Sequence, residues 1–192
     1  SHAISQNRLR NFPINIAAIT NISEDHLDYH KKFENYKNIK FKLFTNYLDQ
    51  NGFAILNDKI TGINILKKKL IKKIIISYGK KNSDIFIKKY KNYIKLKFFN
   101  KQYFLKFVKF SSIEIENITC AIACCFCLNI KIDNILKVLK KISNPPGRLE
   151  EIQQNNKKFK IFIDYAHTPD ALKQVLKSLT LKNKKPNLVF GC

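Results

Sequence analysis

Residues Ile14–Leu48 read INIAAITNISEDHLDYHKKFENYKNIKFKLFTNYL, and their pattern decides the fold. Ile14 to Ile22 is apolar and β-branched, the composition of a strand buried in a parallel sheet. A polar block follows, holding Glu24, Asp25, His26, Asp28 and His30. Then comes a helix. At about 100° per residue, Tyr36, Ile39, Leu43, Phe44 and Tyr47 fall on one side of it, and Lys40 lies in the middle of them. Lys37 lies at the edge of the stripe and Lys42 on the far side. A strand delivering a polar loop and then a helix predicts an α/β protein, its mostly parallel sheet flanked by helices. In such sheets ligands gather at the carboxyl ends of the strands.

A buried ammonium is costly, so a lysine on an apolar face needs a nearby anion, loss of its proton, or covalent modification. Otherwise it lays its stem on the apolar surface and keeps its head in water. Ser23 suits a helix cap, and the acids after it suit the first turn of a helix dipole. His26 and His30 at i, i+4 can share a face and bind metal, but HLDYH lacks the glutamate of the HExxH pattern.

The block TNISEDHLDYH followed by NYKNIKFKLF resembles the central domain of the Mur ligase family, nearest to members that add the third residue of the peptidoglycan stem peptide. In that family the histidine matching His26 is a magnesium ligand. The lysine matching Lys40 is carbamylated, which turns a cation into an anion that helps hold the metal. Carbamylation consumes a neutral amine, the form that apolar surroundings favour.

Length and composition fit this expectation. At 192 residues the chain has ample material for one large or two small domains. It begins with serine and contains no methionine, so it reads as a fragment. It shows no signal peptide and no uncharged apolar run long enough to cross a bilayer. Its net charge is +22, from 36 Lys+Arg against 14 Asp+Glu. Such a balance ordinarily suggests nucleic acid. The excess is nearly all lysine, however, dispersed among asparagine and isoleucine as AT-rich codon bias would give, so no nucleic-acid partner is expected. Anionic nucleotide substrates would still profit from the field.

SHAISQNRLR (1–10) reads as the end of a helix that Pro13 stops. It resembles the family stretch whose serine, glutamine and arginine, here Ser1, Gln6 and Arg8, contact the UDP-muramyl dipeptide. The family's magnesium-binding glutamate would lie upstream of Ser1. Phe53 to Leu56 is expected as a short strand, 61–73 as a lysine-rich helix, and 74–78 as another strand. Between Asp84 and Phe110, polar and apolar residues alternate as in antiparallel strands with one solvated face. This part carries no chemical motif.

Residues 116–128 form an apolar helix with Cys120, Cys124, Cys125 and Cys127. Four cysteines on one helix cannot wrap a tetrahedral ion without ligands from elsewhere, so buried, reduced core thiols are expected. Asn117 matches a family asparagine that touches adenine, although Ser111 and the pair Ile113-Glu114 replace the family's Gly and Phe-Asn. An amphipathic helix over 132–142 precedes SNPPGRLE, where Pro145, Pro146 and Gly147 mark a domain boundary. That gives 1–146 as an incomplete central domain and 147–192 as the first elements of a Rossmann-like C-terminal domain. PPGRLE resembles the family linker whose arginine, here Arg148, reaches the ATP phosphates. Residues 159–163 read as a strand entering DYAHTPDAL, with a helix from Pro169 to about Leu179. Strand, polar turn and helix N-terminus make a phosphate or nucleotide edge. The resemblance implies nucleotide contacts from Asp164 and His167. NLVFGC (187–192) reads as a further strand. No GxxxxGK[ST] loop occurs among the five glycines.

The resemblance therefore implies an ATP- and Mg2+-dependent ligase, a cytoplasmic monomer acting on small molecules and no membrane. It would join meso-diaminopimelate or L-lysine to UDP-MurNAc-L-Ala-D-Glu through an acyl phosphate. The rival readings are a folylpolyglutamate synthetase-like ligase and a non-enzymatic basic RNA-binding module.

Overall fold

The structure is a computed structural model, and it describes residues 2–22, 33–106, 110–142, 145–152, 159–180 and 185–191. The chain divides into two compact units, Ser1–Lys140 and Lys141–Cys192. That division falls a little ahead of the 146/147 boundary expected from the Pro-Pro-Gly run.

In the first unit, six strands form one sheet in sequence order: β1 (Ile14–Ile19), β2 (Leu48–Asn57), β3 (Ile74–Tyr78), β4 (Ile85–Lys89), β5 (Tyr93–Phe98) and β6 (Lys101–Lys106). The β1–β2, β2–β3 and β3–β4 pairings are parallel, and β4–β5 and β5–β6 are antiparallel. The expected mostly parallel α/β sheet and its antiparallel extension are both present.

Alternation along β2 assigns the core to two faces. Ala54 and Leu56 point to one side, where α2 (Phe33–Lys42) supplies Phe41 and α3 (Ile63–Lys69) supplies Ile63 and Leu66. Ile55 points to the other, where α4 (Ser112–Cys127) supplies Ile118, Cys120, Ile122 and Cys127, and α5 (Ile132–Leu139) supplies Ile135 and Leu139. Helices on both faces are what a parallel sheet needs, because both its faces must leave water.

Three expectations are corrected. β2 extends well before Phe53, because Leu48 pairs with Ile14 ahead of a bulge; Asp49, Gln50 and Asn51 do not read as strand, yet they lie in it. The buried stripe of α2 is rotated toward Tyr36, Lys37 and Phe41, so Lys37 is more buried than Lys40. A π-helical turn over Leu43–Tyr47 closes that helix and buries Phe44. Finally, the α1 helix is only His2–Ser5, and residues 6–11 turn, with Asn7 and Asn11 at positive φ.

In the second unit, β7 (Glu150–Ile152) pairs antiparallel with β8 (Ile161–Ile163), and α6 spans Pro169–Leu179. The expected α6 has its proline at the first turn and the Thr168 hydroxyl as its cap, accepting the Ala171 amide at 3.3 Å. The strand expected over 187–192 is not formed by the described residues 187–191, and this unit opens with an antiparallel pair. A strand exists only by pairing, and Val189 and Phe190 have no strand partner among the described residues; they are 95% and 66% exposed.

Candidate functional site

The carboxyl ends of β1, β2 and β3 are locked together by buried polar groups. The Asn57 Nδ2 donates to the Thr20 carbonyl at 2.6 Å, and its Oδ1 accepts the Lys59 amide at 2.9 Å. The Tyr78 hydroxyl donates to the Ile19 carbonyl at 3.1 Å. Gly79 sits at φ +101°, and a Cβ there would come 2.5 Å from the Asn57 Oδ1. Glycine is required by both the backbone and the space. These contacts fix the direction in which β1 hands over to the DHLD block. His26, like Ser1, lies outside the described residues.

On α2, two lysines lie near the core in different ways. Lys37 is pinned by an ion pair, with Nζ 2.7 Å from Glu34 Oε1. Lys40 is half-buried, with Nζ 4.6 Å from the centre of the Tyr36 ring. Among the described residues no carboxylate pairs with Lys40, so its amine is held by an aromatic face. Gln6 and Arg8 are exposed on the turn after α1, and the Tyr47 hydroxyl ties that turn to the end of α2 by donating to Asn7 Oδ1 at 2.9 Å.

The N-terminus of α4 explains a departure noted above. The Ser111 hydroxyl accepts the Glu114 amide at 3.2 Å while Glu114 Oε2 accepts the Ser111 amide at 2.6 Å, a capping box that accounts for both residues. One turn on, Glu116 pairs with Lys59 at 2.6 Å. The two line a shallow cleft of about 190 Å³ together with Gly79, Phe86, Ile87, Ile115 and Thr119. Asn117 is exposed on the same helix and is not among the residues that line the cleft.

The cysteines of α4 are core thiols, as expected. Cys120 and Cys127 are buried, Cys124 and Cys125 half-buried, and all four are free. Cys124 and Cys127 stand at CxxC spacing, yet among the described residues no His/Cys/Asp/Glu cluster is arranged to hold a metal. A hydrogen bond from Cys124 lowers the Cys120 thiol to about 7. Burial pushes Cys125 up, and takes Cys127 to about 11.

In the second unit the expected nucleotide residues come together. Asp164 clamps two loops: its Oδ2 accepts the Leu149 amide and its Oδ1 the Ala166 amide, each at 2.8 Å. Leu149 sits at φ +45° and Gly147 at φ +69°, and the Gly147 amide donates to Glu150 at 2.6 Å. The clamp sets Arg148 against the loop, its guanidinium carbon 4.9 Å from the centre of the Tyr165 ring. His167 packs edge-on to the same ring at 5.1 Å and places Nδ1 3.1 Å from the Tyr165 carbonyl. Arg148, Tyr165 and His167 are all exposed. They present a cation, an aromatic face and an imidazole just ahead of a helix N-terminus, a combination suited to a phosphate or nucleotide.

Sequence reasoning missed Tyr165, Asn57 and the Lys59–Glu116 pair. For Tyr165 the signal was its place between two assigned residues. For Asn57 it was a single amide ending an apolar run.

The profile of the Mur ligase middle domain matches residues 1–125, and that of the Mur ligase glutamate ligase domain matches residues 147–192. The chain belongs to the Mur ligase family. It is 37% identical over 202 aligned positions to the UDP-N-acetylmuramoyl-L-alanyl-D-glutamate–2,6-diaminopimelate ligase of Rickettsia conorii, covering 100% of this chain and 41% of that protein. The enzyme of the same name from Aquifex aeolicus is also 37% identical, over 100% of this chain and 39% of its own length. The chain thus spans about two-fifths of the length of these curated relatives. Among solved structures, a diaminopimelate ligase of this type matches 93% of the chain and 38% of its own, with a TM-score of 0.72 and 27% identity.

Proposed function

We propose that this chain is the larger part of the ATP-binding central domain, with the start of the C-terminal domain, of an ATP-dependent ligase adding a diamino acid to UDP-MurNAc-L-Ala-D-Glu. The observation that carries this reading is identity of 37% along the whole chain to proteins named diaminopimelate ligases. That favours diaminopimelate over L-lysine and over a folylpolyglutamate synthetase-like reaction. In this reading a carboxylate of the dipeptide attacks the γ-phosphate of ATP, giving an acyl phosphate and ADP. The amine of diaminopimelate then attacks the acyl carbon and releases phosphate.

The residues divide this work. Arg148, exposed and resting on Tyr165, meets the ATP phosphates, and His167 lies beside it. Asp164 serves by holding the Arg148 turn, since both its oxygens are engaged by backbone amides. Asn117, exposed on α4, meets the adenine. Gln6 and Arg8 face the UDP-muramyl dipeptide. Lys40 fits the carbamate role because no described carboxylate holds its amine, unlike that of Lys37. As a carbamate it would hold Mg2+ together with His26. The chemistry bound magnesium supplies is charge neutralisation, which lets two anions approach. In this reading the protein acts on small molecules as a cytoplasmic monomer. Among the described residues no helix is long and apolar enough to cross a membrane.

The test is ligation by the intact protein that carries this chain, given UDP-MurNAc-L-Ala-D-Glu, ATP and labelled diaminopimelate or L-lysine. Formation of the labelled tripeptide with diaminopimelate supports the reading; incorporation of neither amino acid overturns it.

A further inference from the structure

The outer face of β4–β6 is a basic and aromatic platform, and it arises from register rather than from a run in the sequence. The inner face carries Ile85, Ile87, Ile94, Leu96 and Leu105 into the core. On the opposite face the pairings set three cross-strand rows. Phe86 faces Lys97, which faces Gln102; Lys88 faces Lys95, which faces Phe104; and Tyr93 faces Lys106, with Tyr90 stacked on Tyr93 at 4.5 Å and 8°. No carboxylate occurs anywhere from residue 85 to 106.

Two observations point to an anionic ligand. First, Lys88 and Lys95 stand directly opposite one another, an arrangement that costs stability in a sheet and does nothing for the core. Among the described residues the ion pairs engage Lys37, Lys59, Lys67 and Lys160, all of them elsewhere. Second, the lysines are interleaved with rings. Lys88 lies 5.1 Å from the Tyr90 ring centre and Lys95 5.5 Å from that of Phe104, which is 61% exposed; Tyr93 and Phe104 lie 5.9 Å apart.

We propose that this face binds single-stranded nucleic acid, the rings of Tyr90, Tyr93 and Phe104 stacking on bases and Lys88, Lys95 and Lys106 meeting the phosphates. Every base has a π-face and every linkage a charge, so such a platform needs no particular sequence. An antiparallel sheet displaying aromatic side chains is a known way of presenting them to splayed bases. A membrane surface fits less well. A face that enters an interface groups its apolar side chains centrally and keeps lysines at the rim, whereas here Lys95 occupies the central position.

The test uses the 192-residue chain, a fluorescein-labelled 15-mer of uridine or of thymidine, and vesicles of anionic or zwitterionic phospholipid, all at 100 mM salt. Phe104→Ala and Tyr93→Ala leave the charge untouched and are each expected to weaken oligonucleotide binding about tenfold, the loss of one stacked base. Lys88→Gln with Lys95→Gln is expected to lower the slope of log affinity against log salt by about 1.4, that of two phosphates. Lys68→Gln with Lys69→Gln, two exposed lysines of α3, removes the same charge elsewhere and is expected to leave binding within about twofold. Binding of either oligomer in this pattern supports the proposal, and circular dichroism melts confirm that the variants fold. Three results overturn it: no oligonucleotide binding, equal losses from both lysine pairs with none from the aromatic variants, or tighter binding to anionic vesicles that Phe104→Ala abolishes.

Discussion

Asn57 reaches across the sheet to Thr20, its side-chain Nδ2 donating to the backbone carbonyl at 2.6 Å. Asn57 is 2% exposed, so this amide is an internal strut between the exits of β1 and β2. Its other end accepts the Lys59 amide, and Gly79 leaves it room. Everything the DHLD block is expected to do depends on where β1 releases the chain.

Asn57→Ala therefore leaves the Thr20 carbonyl and the Lys59 amide without their side-chain partner, at a cost of about 1–3 kcal/mol. Gly79→Ala acts on the same strut from the other side, by steric overlap and a positive φ, and costs about 2–4 kcal/mol. Urea unfolding of the 192-residue chain measures both. Because the two changes strike one contact, the double variant should lose less than the sum of the single losses. Strict additivity would mean that the strut is not shared.

The Asp164 clamp makes a local prediction. Asp164→Ala releases the amides of Leu149 and Ala166, each losing a charge-assisted bond of about 1.5–3 kcal/mol. Hydrogen exchange at those two amides should speed up at least roughly tenfold, with little change in β1–β3. In the intact protein the same variant should weaken ATP binding by displacing Arg148, and Arg148→Ala should weaken it in an Asp164→Ala background far less than alone. Independent losses would make Asp164 a direct ligand.

The thiols of α4 give the chain an alkaline limit. Burial raises Cys125, and raises Cys127 to about 11, so their neutral forms are favoured in the fold. A raised folded value contributes stability that is present below the unfolded thiol range and is lost as pH climbs through the folded value. Cys120, lowered to about 7, runs the other way, gaining stability above that pH. Once the unfolded thiols ionise, the raised group outweighs it. Unfolding free energy should fall between about pH 9 and 11, and Cys127→Ala should flatten that fall while lowering stability at pH 7. A curve unchanged by Cys127→Ala would remove the thiol from the account.

Much of this architecture was legible because it obeys simple periods. Ile74–Tyr78 reads as a strand and forms one, and Pro169–Leu179 is helical with its proline in the first turn, as expected. The misses share a cause: they depend on partners. Asp49–Asn51 is polar, yet lies in β2 beyond the bulge that lets Leu48 pair with Ile14. The rotation of α2 that buries Tyr36 and Phe41 decided which lysine lies deeper, and no helical wheel carries that information. The aromatic–lysine rows of β4–β6 exist only after register brings Lys88 beside Lys95. At the site, the motifs that resemble the family name Arg148, Asp164 and His167, which the structure places around one turn, while Tyr165, between two of them, was passed over.

The contrast between the two lysines of α2 supplies the sharpest test. Lys37 is the deeper residue and is paired with Glu34; Lys40 is shallower and rests on Tyr36. If burial alone mattered, Lys37 would be the sensitive position. If Lys40 works as a carbamate, its role is that of an anion, and Lys40→Arg should abolish ligation although it keeps positive charge and helix propensity. Lys37→Met, which keeps the buried stem and frees an exposed glutamate, should cost no more than about 1 kcal/mol of stability and leave ligation near wild type. Lys40→Ala should also be inactive, but a short-chain carboxylate or bicarbonate in the assay should restore part of the activity by occupying the vacated volume beside Tyr36. Ligation is measured in the intact protein for all three variants, with and without added acetate. An active Lys40→Arg enzyme would show that the group over Tyr36 is a cation after all, and the metal would then need another anion.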